Sequence, residues 1–251
     1  MSFNIEMTAG SSVRLPTAGK YCDRDIIITV PGGGDRYNDG YEAGQQAEYD
    51  RFWDAFQQSG KRTDYGLGFS GAGWNNETFR PKYSMRPTNA YQMFFATTFS
   101  DFDLVARLEE LGIALDFSQC PNMSYALAGG FSHIGVVNTT AAAGLSYTFY
   151  NSKVHTIDKL VLRTDGATTF SNTFAGCENL QNITFEGVIG TALDMHWSGK
   201  LTNTSVQSII DHLKDLTGAT AHTLTLHATV GANLTDAQKA TITAKNWTLA
   251  Y

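Results

Sequence analysis

The sequence predicts an α/β solenoid whose units of about 23 residues each carry a short strand and a helical turn, behind a small β-arm and an amphipathic aromatic helix. Three observations predict it. Leu145-Ser-Tyr-Thr-Phe149 is echoed by Phe170-Ser-Asn-Thr-Phe174 and, more weakly, by Met123-Ser-Tyr-Ala-Leu127. Ile134, Ile157 and Leu180 lie two successive steps of 23 residues apart, and so do Val137, Leu160 and Ile183. The composition suits short strands and tight turns: 24 Gly against 5 Pro, only 17% charged residues, and abundant Thr, Ser and Asn.

Along the chain, residues 1–30 alternate apolar and polar in places and end in the β-branched run Asp25-Ile-Ile-Ile-Thr-Val30, which reads as a β-arm. Residues 31–34, Pro31-Gly-Gly-Gly34, read as a Gly-rich linker, since no phosphate-binding pattern surrounds them. Residues 35–60 read as a helix that Asp35 can cap and Gly60 can end. Its aromatic stripe, Tyr37, Tyr41, Tyr49, Phe52, Trp53 and Phe56, must be covered, either by its own repeat domain or by copies of itself, with Gly40 and Gly44 allowing close approach. The second cover makes the helix an attachment or oligomerisation element.

Residues 61–251 form the repeat domain. Leu160-Val-Leu-Arg163 and Ile183-Thr-Phe-Glu186 should alternate inward and outward. Weaker units follow the same plan: a helix at 103–111 before the strand Ala114–Phe117, a helix at 205–216 before Thr223–Leu226, and a last helix at 235–245 before Trp247–Leu249. The helices at 103–111 and 205–216 fit the caps that a repeat stack needs. Cys177 should point inward between layers as a small apolar thiol. A period of 20 to 29 residues with one strand per unit is the signature of a leucine-rich-repeat solenoid.

The run Phe170-Ser-Asn-Thr-Phe-Ala-Gly-Cys-Glu-Asn-Leu-Gln-Asn-Ile-Thr-Phe185 resembles the BspA-type leucine-rich repeat, whose units read roughly FxxCxxLxxIxF. The ending from Leu224 to Leu249, the opening stretch from Val13 to Ile26 and the segment Tyr49–Gln57 are similar to phage and prophage structural or tail-associated proteins of gut Firmicutes. Motif-grade repeats are confined to 123–187, and Phe131 and Val154 stand where the other two clear repeats would carry the cysteine. The resemblance implies a binding or structural role and names no single ligand.

The composition excludes several functions. With 18 Lys+Arg against 24 Asp+Glu and no basic cluster, no nucleic-acid binding is expected. No apolar stretch approaches the roughly 20 residues of a membrane span, and the first ten residues lack the layout of a secretory signal. Cys22, Cys120 and Cys177 form neither a disulfide framework nor a zinc site, and the six histidines show no HExxH or HxxxH pair, so no metal or cofactor is expected. Gly68-Phe-Ser-Gly-Ala lacks the second glycine of a nucleophile elbow, and Glu109 and Glu110 adjoin on one helix. Asp116 and Glu186 lie several units apart, too far for a glycosidase pair. No catalytic residue is assigned. Asn-x-Ser/Thr triplets, as at Asn182 and Asn246, are read as solvated surface.

Recognition remains. In this register Asp116, Ser118, Val161, Arg163, Thr184, Glu186, Thr225 and His227 line an outward strand face with few long charges, suited to hydrogen-bonding a glycan or protein or simply to solvation. Trp74, in a Gly-rich segment, is placed either to stack on a sugar ring or to pack the junction between helix and repeats. The expected function is a non-enzymatic virion-associated protein of tail or receptor-binding type, assembled in the bacterial cytoplasm. Its expected partners are other virion proteins or a host-surface protein or glycan, with homo-oligomers possible through the 35–60 helix. The alternatives are a cell-surface adhesin of the same repeat family and a glycan-active enzyme.

Overall fold

The computed structural model describes residues 47, 48, 50–71, 79–97 and 102–251, together with the backbone of residues 3–8, 11–14 and 26–29. Tyr37, Tyr41, Tyr49, Trp74, Cys22 and the 31–34 linker lie outside them. The described chain is mixed α/β with largely parallel sheets, and among the described residues no helix is long and apolar enough to cross a membrane.

The arm is a three-stranded sheet. β1 (Phe3–Thr8) lies between β2 (Ser11–Arg14), antiparallel to it, and β3 (Ile26–Thr29), parallel to it. Farther on, β4 (Phe102–Asp103), β5 (Phe131–Asn138), β6 (Thr156–Val161) and β7 (Asn182–Glu186) form one parallel sheet in that order. β8 (Leu193–Met195), β9 (His222–Leu226) and β10 (Trp247–Ala250) form another. The helices are α1 (50–56), α2 (Leu104–Leu111), α3 (Asn203–His212), α4 (Ala228–Ala232) and α5 (Asp236–Ala244). Local chemistry sets their ends. Asp103 caps α2 by accepting from the Ala106 N–H and Gly112 closes it at φ +64°, while Thr235 and Gln238 form a capping box on α5.

The first repeat step stands: Ile134 pairs with Ile157 and Val137 with Leu160, 23 residues on. The second is corrected. Ile157 pairs with Ile183, 26 residues on, and Leu160 with Phe185, so Leu180 and Ile183 are not the next partners. The reason is a change of inward period: β6 buries Ile157 and Leu160, three apart, whereas β7 buries Ile183 and Phe185, two apart, and the mismatch shifts the register between them. The strand expected at 114–117 is reduced to a single bridge from Leu115 to Met85.

A second ladder runs through the turns. Leu67, Gln92, Tyr125, Tyr147 and Asn172 all hold positive φ, between 51° and 58°. Each is the third residue of an i→i+3 turn, with bonds from Gly68 N to Tyr65 O, Met93 N to Ala90 O, Ala126 N to Met123 O, Thr148 N to Leu145 O and Thr173 N to Phe170 O. The repeated Ser-x-Thr-Phe segments are therefore reverse turns and not the helical turns the sequence suggested. Alternate N–H groups donate to the next layer, as from Leu145, Tyr147, Phe149 and Asn151 to the carbonyls of Thr169, Ser171, Thr173 and Ala175. Two positions after each left-handed residue stand Phe69, Phe94, Leu127, Phe149 and Phe174, all buried, with Phe69 on Phe94 at 4.8 Å and Phe149 on Phe174 at 5.4 Å between centroids.

Buried hydroxyls tie the layers. Thr148 Oγ1 donates to Met123 O at 3.1 Å and Thr173 Oγ1 to Leu145 O at 2.7 Å. Five positions after the left-handed residue, Ser152 donates to Gly129 O, and Cys177 Sγ lies 2.9 Å from Phe149 O. Cys177 is thus fully buried as expected, and burial pushes its thiol up to about 12, but its counterpart in the preceding layer is Ser152 rather than Val154. Thr173→Val keeps the shape but removes one of the two hydrogen bonds on the Leu145 carbonyl, leaving that from Thr148 N, so it should cost about 0.5–1.5 kcal/mol. A urea midpoint equal to that of the unsubstituted protein would refute this role.

The ends of the stack also differ from expectation. α2 lies between β4 and β5, inside the stack, where buried Arg107 donates to Phe79 O at 2.9 Å and pairs with Glu110 at 2.6 Å. One end is closed instead by α1. Phe52, Trp53 and Phe56 are buried against Phe69, Phe79 and Tyr65 of the same chain. These three are therefore not available for oligomerisation, because their apolar surface is consumed within the chain. The expected boundary between residues 60 and 61 likewise passes through one core. The Gln57 side chain accepts from Lys82 N and Tyr83 N and donates to Tyr83 O, and Arg62 stacks 4.2 Å from the Phe56 ring.

Candidate functional site

The strand-face residues are held by their own neighbours. Asp116 accepts from Ser118 N at 2.9 Å, an Asx-turn repeated by Asn138, Asp165 and Asp215 after later strands or bridges. Arg163 is forked onto Asp165, whose carboxyl it holds down at about 2, first through the hydrogen bonds themselves. Thr184 Oγ1 donates to Asp158 O, and Glu186 accepts from Lys159 at 2.8 Å. Thr225 stands on the other sheet, and His227 caps α4 by accepting from Thr229 N at 3.1 Å. The structure does not gather these residues into one site. It gives most of them structural partners.

On the same sheet face His133 sits between two carboxylates, Asp103 at 3.2 Å and Asp158 at 2.8 Å. Burial opposes its protonation, but the bonds to Asp158 and then Asp103 outweigh that and raise its pKa above the ordinary value. A raised folded pKa means that the stabilisation is full below the unfolded pKa of about 6.5 and is lost as pH rises through the folded value. Relative to His133→Gln, the protein should therefore be more stable at pH 5 and lose that advantage by pH 8.5. A difference between urea midpoints that does not change with pH would overturn this.

The distinctive surface is on the turn ladder. Tyr125 and Tyr147, successive left-handed residues, stack with centroids 4.6 Å apart and planes 6° apart. Tyr150 stands edge-to-face to both, at 5.9 and 5.4 Å, and Phe95 to Tyr125 at 5.2 Å. Tyr91, 40% exposed, adjoins them. Partial burial, and then the nearby Tyr147, Tyr150 and Tyr91 phenols, push the Tyr125 phenol above its usual range. None of these four hydroxyls is hydrogen-bonded among the described residues. Beside the stack, Phe95 and Tyr150 help line an open groove of about 390 Å³ along Gly129 and Gly130, with Asn151 and Lys153 also lining it.

A bulky side chain at positive φ costs on the order of 1 kcal/mol that Gly or Asn would largely avoid. Asn172 shows that the fold accepts Asn in this column, so tyrosine at 125 and 147 is not demanded by the backbone. Sequence reading missed this patch because its members are spread over three turns whose register depends on the ladder. The one available signal was the recurrence of Tyr at the third position of Met123–Leu127 and Leu145–Phe149. Among the described residues no group of His, Cys, Asp and Glu is placed to hold a metal ion. No family model, no characterised protein and no solved structure matches the chain.

Proposed function

We propose that this chain is a non-enzymatic recognition protein, a leucine-rich-repeat solenoid of BspA type carried on a phage or prophage particle, which binds a host-surface protein or glycan through its aromatic turn face. The observation that carries the reading is the tyrosine column: partly exposed rings on strained backbone, with hydroxyls unspent within the described chain. Support for the solenoid comes from the parallel strand ladder and its companion turn ladder, the layers of β4 to β7 supplying both. The particle setting rests on the resemblance of residues 13–26, 49–57 and 224–249.

The test is co-sedimentation of the purified full chain with intact cells of the strain that carries the gene. The double variant Tyr125→Ala/Tyr147→Asn serves as comparison, and immunogold labelling is carried out on particles induced from that strain. Sedimentation of the unsubstituted protein alone and labelled particles are expected. Equal behaviour of the two proteins overturns the recognition surface, and unlabelled particles overturn the virion location.

A further inference from the structure

We propose that the groove beside the tyrosine stack is a glycan-binding site that takes a short pyranose segment between Phe95 and Tyr150. The proposal deepens the recognition reading and rests on it. The groove's about 390 Å³ falls within the roughly 300–1,000 Å³ of small-ligand sites, and its lining has their usual make-up of aromatic rings with a few polar groups. Phe95 and Tyr150 are each fixed edge-to-face against Tyr125, so both are oriented before a ligand arrives. A sugar ring presents an apolar C–H face, weakly positive at its hydrogens, that suits the negative face of such an aromatic ring, while its hydroxyls need donors and acceptors at the edge.

Those edge groups are present. The exposed side chains of Asn151 and Lys153 line the groove and make no hydrogen bond among the described residues, Asn151 bonding through its main chain alone. Among the described residues no carboxylate lines the groove, which disfavours a cation, and Lys153 is the one charged side chain lining it, too little for a polyphosphate backbone. Aromatic grooves also take proline-rich peptides, but those need several aromatic slots along an extended strip. Here the groove is short and crosses Gly129 and Gly130, which suits a ring better than an extended chain.

The experiment is a microarray of bacterial oligosaccharides probed with the full chain, then isothermal titration with the strongest binder. Tyr150→Ala should weaken binding at least about tenfold, the loss of one stacking ring. Because Asn151 already sits at φ +51°, Asn151→Gly keeps the backbone and should weaken binding several-fold in a folded protein. A blank array, binding unmoved by both variants, or binding only of a proline-rich decapeptide overturns the proposal. Periodate treatment of the cells separates the two readings. Tyrosine-dependent sedimentation that survives periodate overturns the glycan and leaves recognition standing, whereas sedimentation indifferent to the tyrosines overturns recognition itself.

Discussion

Trp53→Ala should destabilise the chain by about 3–5 kcal/mol, the range for emptying a large buried aromatic site. Trp53 is fully buried, with Phe52, Phe56, Phe69 and Phe79 at 5.3 to 5.8 Å between centroids. Removing the indole leaves a void among rings that are themselves packed onward, Phe69 stacked on Phe94 and Phe94 edge-to-face on Phe131, so the site cannot collapse without disturbing those pairs. Urea unfolding with light scattering distinguishes the two roles of α1. A lowered midpoint with unchanged mass is expected. An unchanged midpoint with lowered mass would show that Trp53 serves a neighbouring copy instead. By the same logic residues 61–251 alone should aggregate, since Tyr65 and Phe69 lose their cover.

Gly187→Ala should cost more than about 2 kcal/mol, while Gly218→Ala should cost about 1 kcal/mol, although both glycines have φ near +80°. The left-handed penalty is common to both. The difference lies in what a methyl group would meet. At Gly187 a Cβ would stand 2.4 Å from the Leu162 carbonyl oxygen, which belongs to backbone and cannot swing away, whereas at Gly218 nothing lies within 4 Å. Gly187 therefore marks a place where one layer's backbone lies directly on the next. Equal shifts in the two midpoints would refute that close approach.

The strands were readable because burial imposes a short period: Leu160 and Leu162, then Ile183 and Phe185, point inward as their alternation predicts. Cys177 was readable for the same reason. What the sequence did not show is register between layers, because a bulge or a changed inward period adds residues without leaving a composition signal, as between Ile157 and Leu160. Turn type was equally hidden. Ser-x-Thr-Phe fits a helical turn as well as a reverse turn, and only the ladder bonds and the positive φ of Tyr147 and Asn172 decide. The aromatic patch followed that loss. Tyr150 is the residue just after the repeated motif and Phe95 comes from a layer without it, so the motif did not connect them.

The left-handed column has five different uses of one backbone position: Leu67, Gln92, Tyr125, Tyr147 and Asn172. The layer is fastened by main-chain bonds and by the buried residue two places on, so the outward side chain carries little of the frame's stability. Heritable change there can rewrite what the surface meets while the stack stays as it is. Selection for a changed surface would then act first at 92, 125, 147 and 172, with the inward Phe94, Leu127, Phe149 and Phe174 held fixed.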